Sequence, residues 1–173
     1  MLPFGHLGAS YLLTKISRKL SALEILLILF GAIAPDLDLP ISFWLQKSHH
    51  DLITHTPLGI LLIWLVLALI FRKKLSTPGR VLLFLSLLTH LLLDEVGYWF
   101  YLLGFQSISN QPQINWFYPL TAFPIRTEVI FFPSFLIEYL TKAPANVLAE
   151  IILTILAGAV FLRQLFKKHE KRN

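Results

Sequence analysis

Histidine and aspartate recur together along this chain: His6 in GHLGAS, Asp36 and Asp38 in APDLDLP, His50 and His55 in KSHHDLITHTPLG, and His90 and Asp94 in THLLLDEVG. Imidazole with carboxylate is a donor set for zinc, and also for manganese or iron(II). His90 and Asp94 are spaced i, i+4, which puts both side chains on one face of a helix. Leu91, Leu92 and Leu93 lie between them, and a carboxylate at bilayer depth costs about 2.5–3.5 kcal/mol even on the lenient insertion scales. Such groups are tolerated where they meet one another, water or a cation. His6, His50, His55, His90, Asp36, Asp38 and Asp94 together exceed one tetrahedral site. One or two divalent ions are therefore expected, zinc before manganese or iron. Paired metals activate a water and clamp a phosphoester or similar oxyanion.

Each residue alone has a plainer reading. His90 could be a hydrogen-bonded interior histidine, and Asp36 and Asp38 could be turn or cap residues after Pro35. His49 reads as a solvated neighbour or a ligand. Asp51 and Glu95 read as ligands or as groups supporting one. What favours the metal is their common depth once the elements that carry them are laid out.

Those elements are apolar. Of 173 residues, 55% are hydrophobic and only 14% charged, with a mean hydropathy of +0.67; a soluble domain carries about a quarter charged residues. The expected runs are Leu2–Leu13, Ser21–Ile41, Pro57–Phe71, Val81–Phe105 and Val147–Phe166. Basic clusters sit at their ends: Lys15, Arg18 and Lys19, then Arg72, Lys73, Lys74 and Arg80, then Arg163, Lys167, Lys168, Lys171 and Arg172. The positive-inside rule places all three on the cytoplasmic side. Trp44, Tyr98, Trp99, Tyr101, Trp116 and Tyr118 then fall at the opposite interface, as an aromatic belt. His6 lies about 14 Å from Lys15, and His90 about 15 Å from Arg80, at the helical rise. The histidines and aspartates thus share the non-cytoplasmic half.

The expected fold is all-α: a single domain over residues 1–173, an integral-membrane bundle of four to five spanning helices. The proline-broken Phe117–Leu140 adds an interfacial or re-entrant segment. Pro35 and Pro40 are expected to unwind the backbone around Asp36 and Asp38, which is allowed beside a protein-lined cavity. The net charge of +5 belongs to topology anchors, so no nucleic acid is expected. Met1–Ser10 lacks the basic start of a cleavable signal peptide. The absence of cysteine excludes disulfides and thiolate ligands.

The ordered motifs resemble the YdjM-like family of membrane-bound, metal-dependent hydrolases, also described as LexA-binding and inner-membrane-associated. The family pattern is an N-terminal histidine, a proline followed by two aspartates one residue apart, a His-Arg-Gly-x-Thr-His-Ser-like loop, a His-x-x-x-Asp helix and a late aromatic-proline segment. These correspond to His6, to Asp36 and Asp38, to His50 and His55, to His90 and Asp94, and to Trp116–Leu120. Asp51 and Leu52 stand where that loop has Arg-Gly, and Thr56 where it has Ser. The resemblance implies an inner-membrane, metal-dependent hydrolase. The donor set itself suits metal-activated water attacking a phosphoester or ester bond, with Glu95 or Asp51 as general base. The depth of the site points to a lipid or lipid-linked substrate. Arg126 is the candidate contact to a substrate anion, with a salt bridge to Glu128 or a headgroup as the plainer alternative. The other functional class is a non-catalytic protein that binds or transports metal ions or protons through the same cluster. A regulatory scaffold, which the LexA-binding description implies, is a third.

Overall fold

Proline opens most of the helices, because a missing N–H costs nothing in a first helical turn. The computed structural model describes residues 1–17, 19–105, 112–122 and 134–170. Along them run α1 (Pro3–Leu13), α2 (Ala22–Gly31), α3 (Leu39–Leu45), α4 (Pro57–Ile70), α5 (Thr77–Asp94), α6 (Val96–Leu102), α7 (Ser134–Lys142) and α8 (Pro144–Glu170). Short 3-10 turns at Pro35–Asp38, His49–Asp51 and Ile53–His55 join α2 to α4 around α3. There is no strand among the described residues, so the fold is all-α as expected.

Among the described residues, two helices, Thr77–Asp94 and Pro144–Lys167, are long and apolar enough to cross a membrane. Ala22–Gly31 and Pro57–Ile70 are apolar but shorter. The expected run Ser21–Ile41 is not one helix. It stops at Gly31, turns through Ala32–Ala34 and resumes at Pro35. Pro35 and Pro40 do not simply unwind the chain there: each sits in the first turn of a new helical piece. The run Val81–Phe105 likewise divides at Glu95 into α5 and α6. The outer faces of α4 and α8 are apolar and bare, as at Leu69 (64% exposed) and Ile155 (64% exposed). Contiguous apolar surface of this kind suits lipid rather than water.

α1 lies along α8 over most of its length. At its start, the free N–H groups of Leu2 and Gly5 go to the Glu150 carboxylate of α8, at 3.0 and 2.5 Å. Leu2 has no side-chain cap of its own to offer, so α8 supplies one. Midway, Gly8 allows close approach: a Cβ there would lie 2.9 Å from the Leu153 carbonyl oxygen. At the far end, Tyr11 and Lys15 both donate to Gln164 at 3.1 Å.

Ser21 and Glu24 form a capping box on α2. The other Glu24 oxygen accepts from Ser76 N–H at 2.8 Å, which ties the start of α2 to the start of α5. The core fills the space between α2, α4 and α5 with Leu27, Ile28, Ile60, Leu82, Leu83, Leu87 and Leu91, joined by Ile114. One turn nearer the site, Ser10 pairs with Ser86 at 2.7 Å, and Ser86 donates to the Ile28 carbonyl at 2.6 Å. α1, α2 and α5 are therefore held in register directly beneath the histidines.

Candidate metal centre

α5 sets the geometry of the centre. His90 and Asp94 share one face of it, both buried. His90 Nδ1 lies 2.7 Å from the Ala32 carbonyl oxygen. A carbonyl can only accept, so Nδ1 carries a proton and Nε2 is the ring nitrogen turned towards Asp36, His55 and Asp94. Ala32 is in the turn that interrupts the run from α2, so the break in that helix supplies the acceptor that fixes this ring. Across from α5, the turn Ile53–His55 ends in Thr56, whose hydroxyl caps α4 by accepting from Gly59 N–H at 3.0 Å. That cap seats His55 fully buried against α5.

Donor atoms from four chain segments meet here. Asp36 Oδ1 is 3.3 Å from His55 Nε2 and 3.5 Å from His90 Nε2, and the two ring nitrogens are 3.3 Å apart. Asp94 Oδ2 lies 3.3 Å from His90 Nε2 and 3.5 Å from His50 Nε2, while Asp94 Oδ1 lies 3.3 Å from His6 Nε2. His6 stacks on His90 with ring centroids 4.1 Å apart. The amino group of Met1 is paired with Asp94.

These separations fit a metal. Donors bound tetrahedrally at about 2.0–2.1 Å stand about 3.3–3.4 Å from one another. Among the described residues, His6 Nε2, His50 Nε2 and Asp94 Oδ2 are buried without a hydrogen-bond partner, a costly condition that a cation relieves. The chemistry of the set, imidazole nitrogen with carboxylate oxygen, suits zinc, manganese or iron(II).

Asp38 has a different position from Asp36. Its Oδ2 accepts from the Thr54 hydroxyl and faces His55 Nδ1 at 3.3 Å, behind the ring rather than on its Nε2 side. A carboxylate there orients the histidine and raises its basicity. Glu95 is fully buried, and its Oε1 accepts the backbone N–H groups of Gln113, at 2.8 Å, and Ile114. Asp51 is buried on the same turn as His49 and His50. His49 belongs to the cluster, with its ring 3.9 Å from that of His50 and 5.0 Å from that of His55. Arg126 lies outside the described residues, as do Arg18 and Glu128.

Charge follows from burial and partners. Burial pulls the His55 imidazole down, but hydrogen bonds to Asp36 and Asp38, with the charges of Asp94 and Asp38, outweigh it and raise the pKa to about 9. Burial raises Asp36, yet the His55 hydrogen bond and the His90 charge bring it down to about 2. His49 is lowered to about 2 by burial and then by His50 and His55. His50 is lowered too, chiefly by burial.

A raised histidine pKa contributes stability that is complete below the unfolded value of 6.5 and is lost as pH rises through about 9. Thermal unfolding of metal-free protein in detergent is therefore expected to show Tm falling over that interval, with a flatter profile in His55→Gln. A profile equally flat in both proteins would refute the ion pair. Because metal must replace the Nε2 proton of His55, loading near neutral pH is expected to release a proton.

Three supporting groups escaped the sequence reading. Glu150 had a signal, being a carboxylate inside the apolar run Val147–Phe166. Thr54 and the Ala32 carbonyl had none, since a hydroxyl or a peptide oxygen is unremarkable until the fold aims it.

Helices, apolar outer faces and a buried histidine–aspartate cluster define this chain as an all-helical membrane protein with a potential metal-binding centre. The model of the YdjM inner membrane protein family matches residues 1–169, and the chain belongs to that family. No curated protein and no solved structure matches it.

Proposed function

We propose that this protein is a multi-pass inner-membrane, metal-dependent hydrolase acting on a phosphoester or ester bond of a lipid or lipid-linked substrate. One observation carries the reading: Asp36 Oδ1, His55 Nε2 and His90 Nε2 form a triangle with edges of 3.3–3.5 Å, beside buried and unsatisfied donors of His6, His50 and Asp94. Zinc is the first candidate. When bound, a divalent metal supplies Lewis acidity toward water and toward a phosphoryl or acyl oxygen.

The chain's own groups do the positioning. The Ala32 carbonyl holds His90, and Asp38 with Thr54 holds His55. Glu95 and Asp51 are the two general-base candidates, and Glu95 is held in place by the two backbone N–H groups that its Oε1 accepts. A substrate anion is assigned to Arg126. In the proposed topology the helices cross the membrane four to five times, with the site towards the non-cytoplasmic half. Contacts at the basic end support this: Lys15 meets Gln164, Arg80 donates to the Arg72 carbonyl, and Glu24 joins Ser76. Tyr98, Trp99 and Tyr101 of α6 follow directly on Asp94 at the other end.

Transport of ions through the same cluster is the weaker reading. Away from His90 along α5, Leu82, Leu83 and Leu87 are buried with Ile28 in one apolar cluster among the described residues. Purified protein loaded with zinc or manganese is expected to hydrolyse a phosphoester or ester lipid in detergent micelles, and to take up neither zinc nor protons in proteoliposomes. Metal-loaded protein that cleaves no such lipid while passing ions would reverse that ranking.

A further inference from the structure

We propose that the centre has two metal positions: an inner one on His6, His90 and Asp94, and an outer one on His49, His50 and His55, with Asp36 between them. This rests on the metal-centre reading above and extends it to a residue, His49, that stands outside the resemblance motifs.

Among the described residues, three triads bring one donor atom from each member within 4.8 Å of the others: His49–His50–His55, His6–His90–Asp94 and Asp36–His55–His90. They cannot all hold an ion at once. A neutral imidazole offers one lone-pair nitrogen, His90 has its Nδ1 committed to Ala32, and His55 has its Nδ1 facing Asp38. Each ring therefore serves one ion. The only two of these triads that share no residue are the inner and the outer. The remaining triad takes one histidine from each and adds Asp36; its edges of 3.3–3.5 Å also fit one shared ion, the single-metal alternative that the test below separates.

That makes Asp36 the link. Its Oδ1 stands 3.3 Å from His55 Nε2 and 3.5 Å from His90 Nε2. A carboxylate oxygen has two lone pairs and can face two cations. Two dications in one cavity also require close negative charge, and Asp36, Asp38 and Asp94 provide it.

Burial ranks the two positions. In the inner triad the side chains of His6 and Asp94 are 1% and 2% exposed. In the outer triad His50 is 15% exposed, and His49 shares its half-buried turn. The inner ion is the slowly exchanging one, and the outer ion is removed first by a chelator. His49 is also explained by this arrangement. Its ring lies against two other imidazoles, at 3.9 and 5.0 Å between centroids, a crowding of nitrogen donors that a cation resolves.

The test is metal content of the full chain in detergent after equilibration with manganese and desalting, with His49→Ala and His49→Asp alongside. About two equivalents are expected in the unsubstituted protein and in His49→Asp, which restores a donor, and about one in His49→Ala. Electron paramagnetic resonance should show a spin-coupled pair in the first two and an isolated manganese signal in the third. A single equivalent in the unsubstituted protein, or two retained in His49→Ala, overturns the second position and leaves the metal-centre reading standing. No metal in any of the three overturns both.

Discussion

His90→Ala and Asp94→Ala are each expected to lower metal affinity by more than about 100-fold, the upper end of what removal of a supporting group costs a metal site. His90 holds the middle of the centre. Its Nε2 stands 3.3 Å from both His55 Nε2 and Asp94 Oδ2, and 3.5 Å from Asp36 Oδ1. Asp94 reaches three histidines, His6 and His50 besides His90. Removing either leaves the remaining donors buried without a common partner. Mass spectrometry of detergent-purified protein measures the outcome directly, with far-UV circular dichroism to show that helix content is unchanged. If both variants retain the metal content of the unsubstituted protein, these residues form a buried polar network and the hydrolase reading falls.

The second large effect is expected at a residue with no donor atom. A Cβ on Gly59 would lie 1.8 Å from the Ile53 carbonyl oxygen, 2.6 Å from its carbon and 2.9 Å from Thr54 Cα. All three are backbone atoms, so no rotamer change relieves the clash. The turn Ile53–His55 must move outward, taking the His55 ring with it. A displacement of about 1 Å at a precisely ordered site costs about 100-fold, and overpacking adds about 1–3 kcal/mol of instability. Gly59→Ala is therefore expected to lose metal affinity by about 10–100-fold while keeping its helices. Gly158→Ala is the matched control. It too lies in an apolar helix, but nothing stands within 4 Å of its Cβ position, so its metal affinity should not change. Equal behaviour of the two variants would show that the tight seat beneath His55 is not what orients it.

Gly59 also marks where sequence reasoning stops. The motif HHDLITHTPLG shows histidines at ligand spacing followed by a Thr-Pro helix start, and both features appear in the fold. That a carbonyl three residues before the cap presses on the glycine two residues after the proline depends on how tightly the turn folds over α4. Glu24 and Glu150 show the same limit from the other side. Each is a carboxylate inside an apolar run, where its cost demands a partner; Ser21 stands three residues from Glu24, but the tertiary partners lie 52 and 145 residues away, at Ser76 and Gly5. The spans were legible mainly as apolar content. Their breaks at Gly31 and Asp94 were not, because each break is stabilised by a distant group: His90 on the Ala32 carbonyl, and Glu95 on the Gln113 and Ile114 amides.

By itself the sequence determined the helical class, the membrane environment and the donor types, since apolar content, charge scarcity and i, i+4 spacing act locally. Only the tertiary structure decided what each donor faces. Asp36 and Asp38 are two residues apart, which on a strand would put them on one face. They fold instead into a 3-10 turn of about three residues per revolution, where residues two apart point in different directions. Asp36 consequently meets His55 and His90 on the inner side of the centre, while Asp38 stands behind His55 with Thr54.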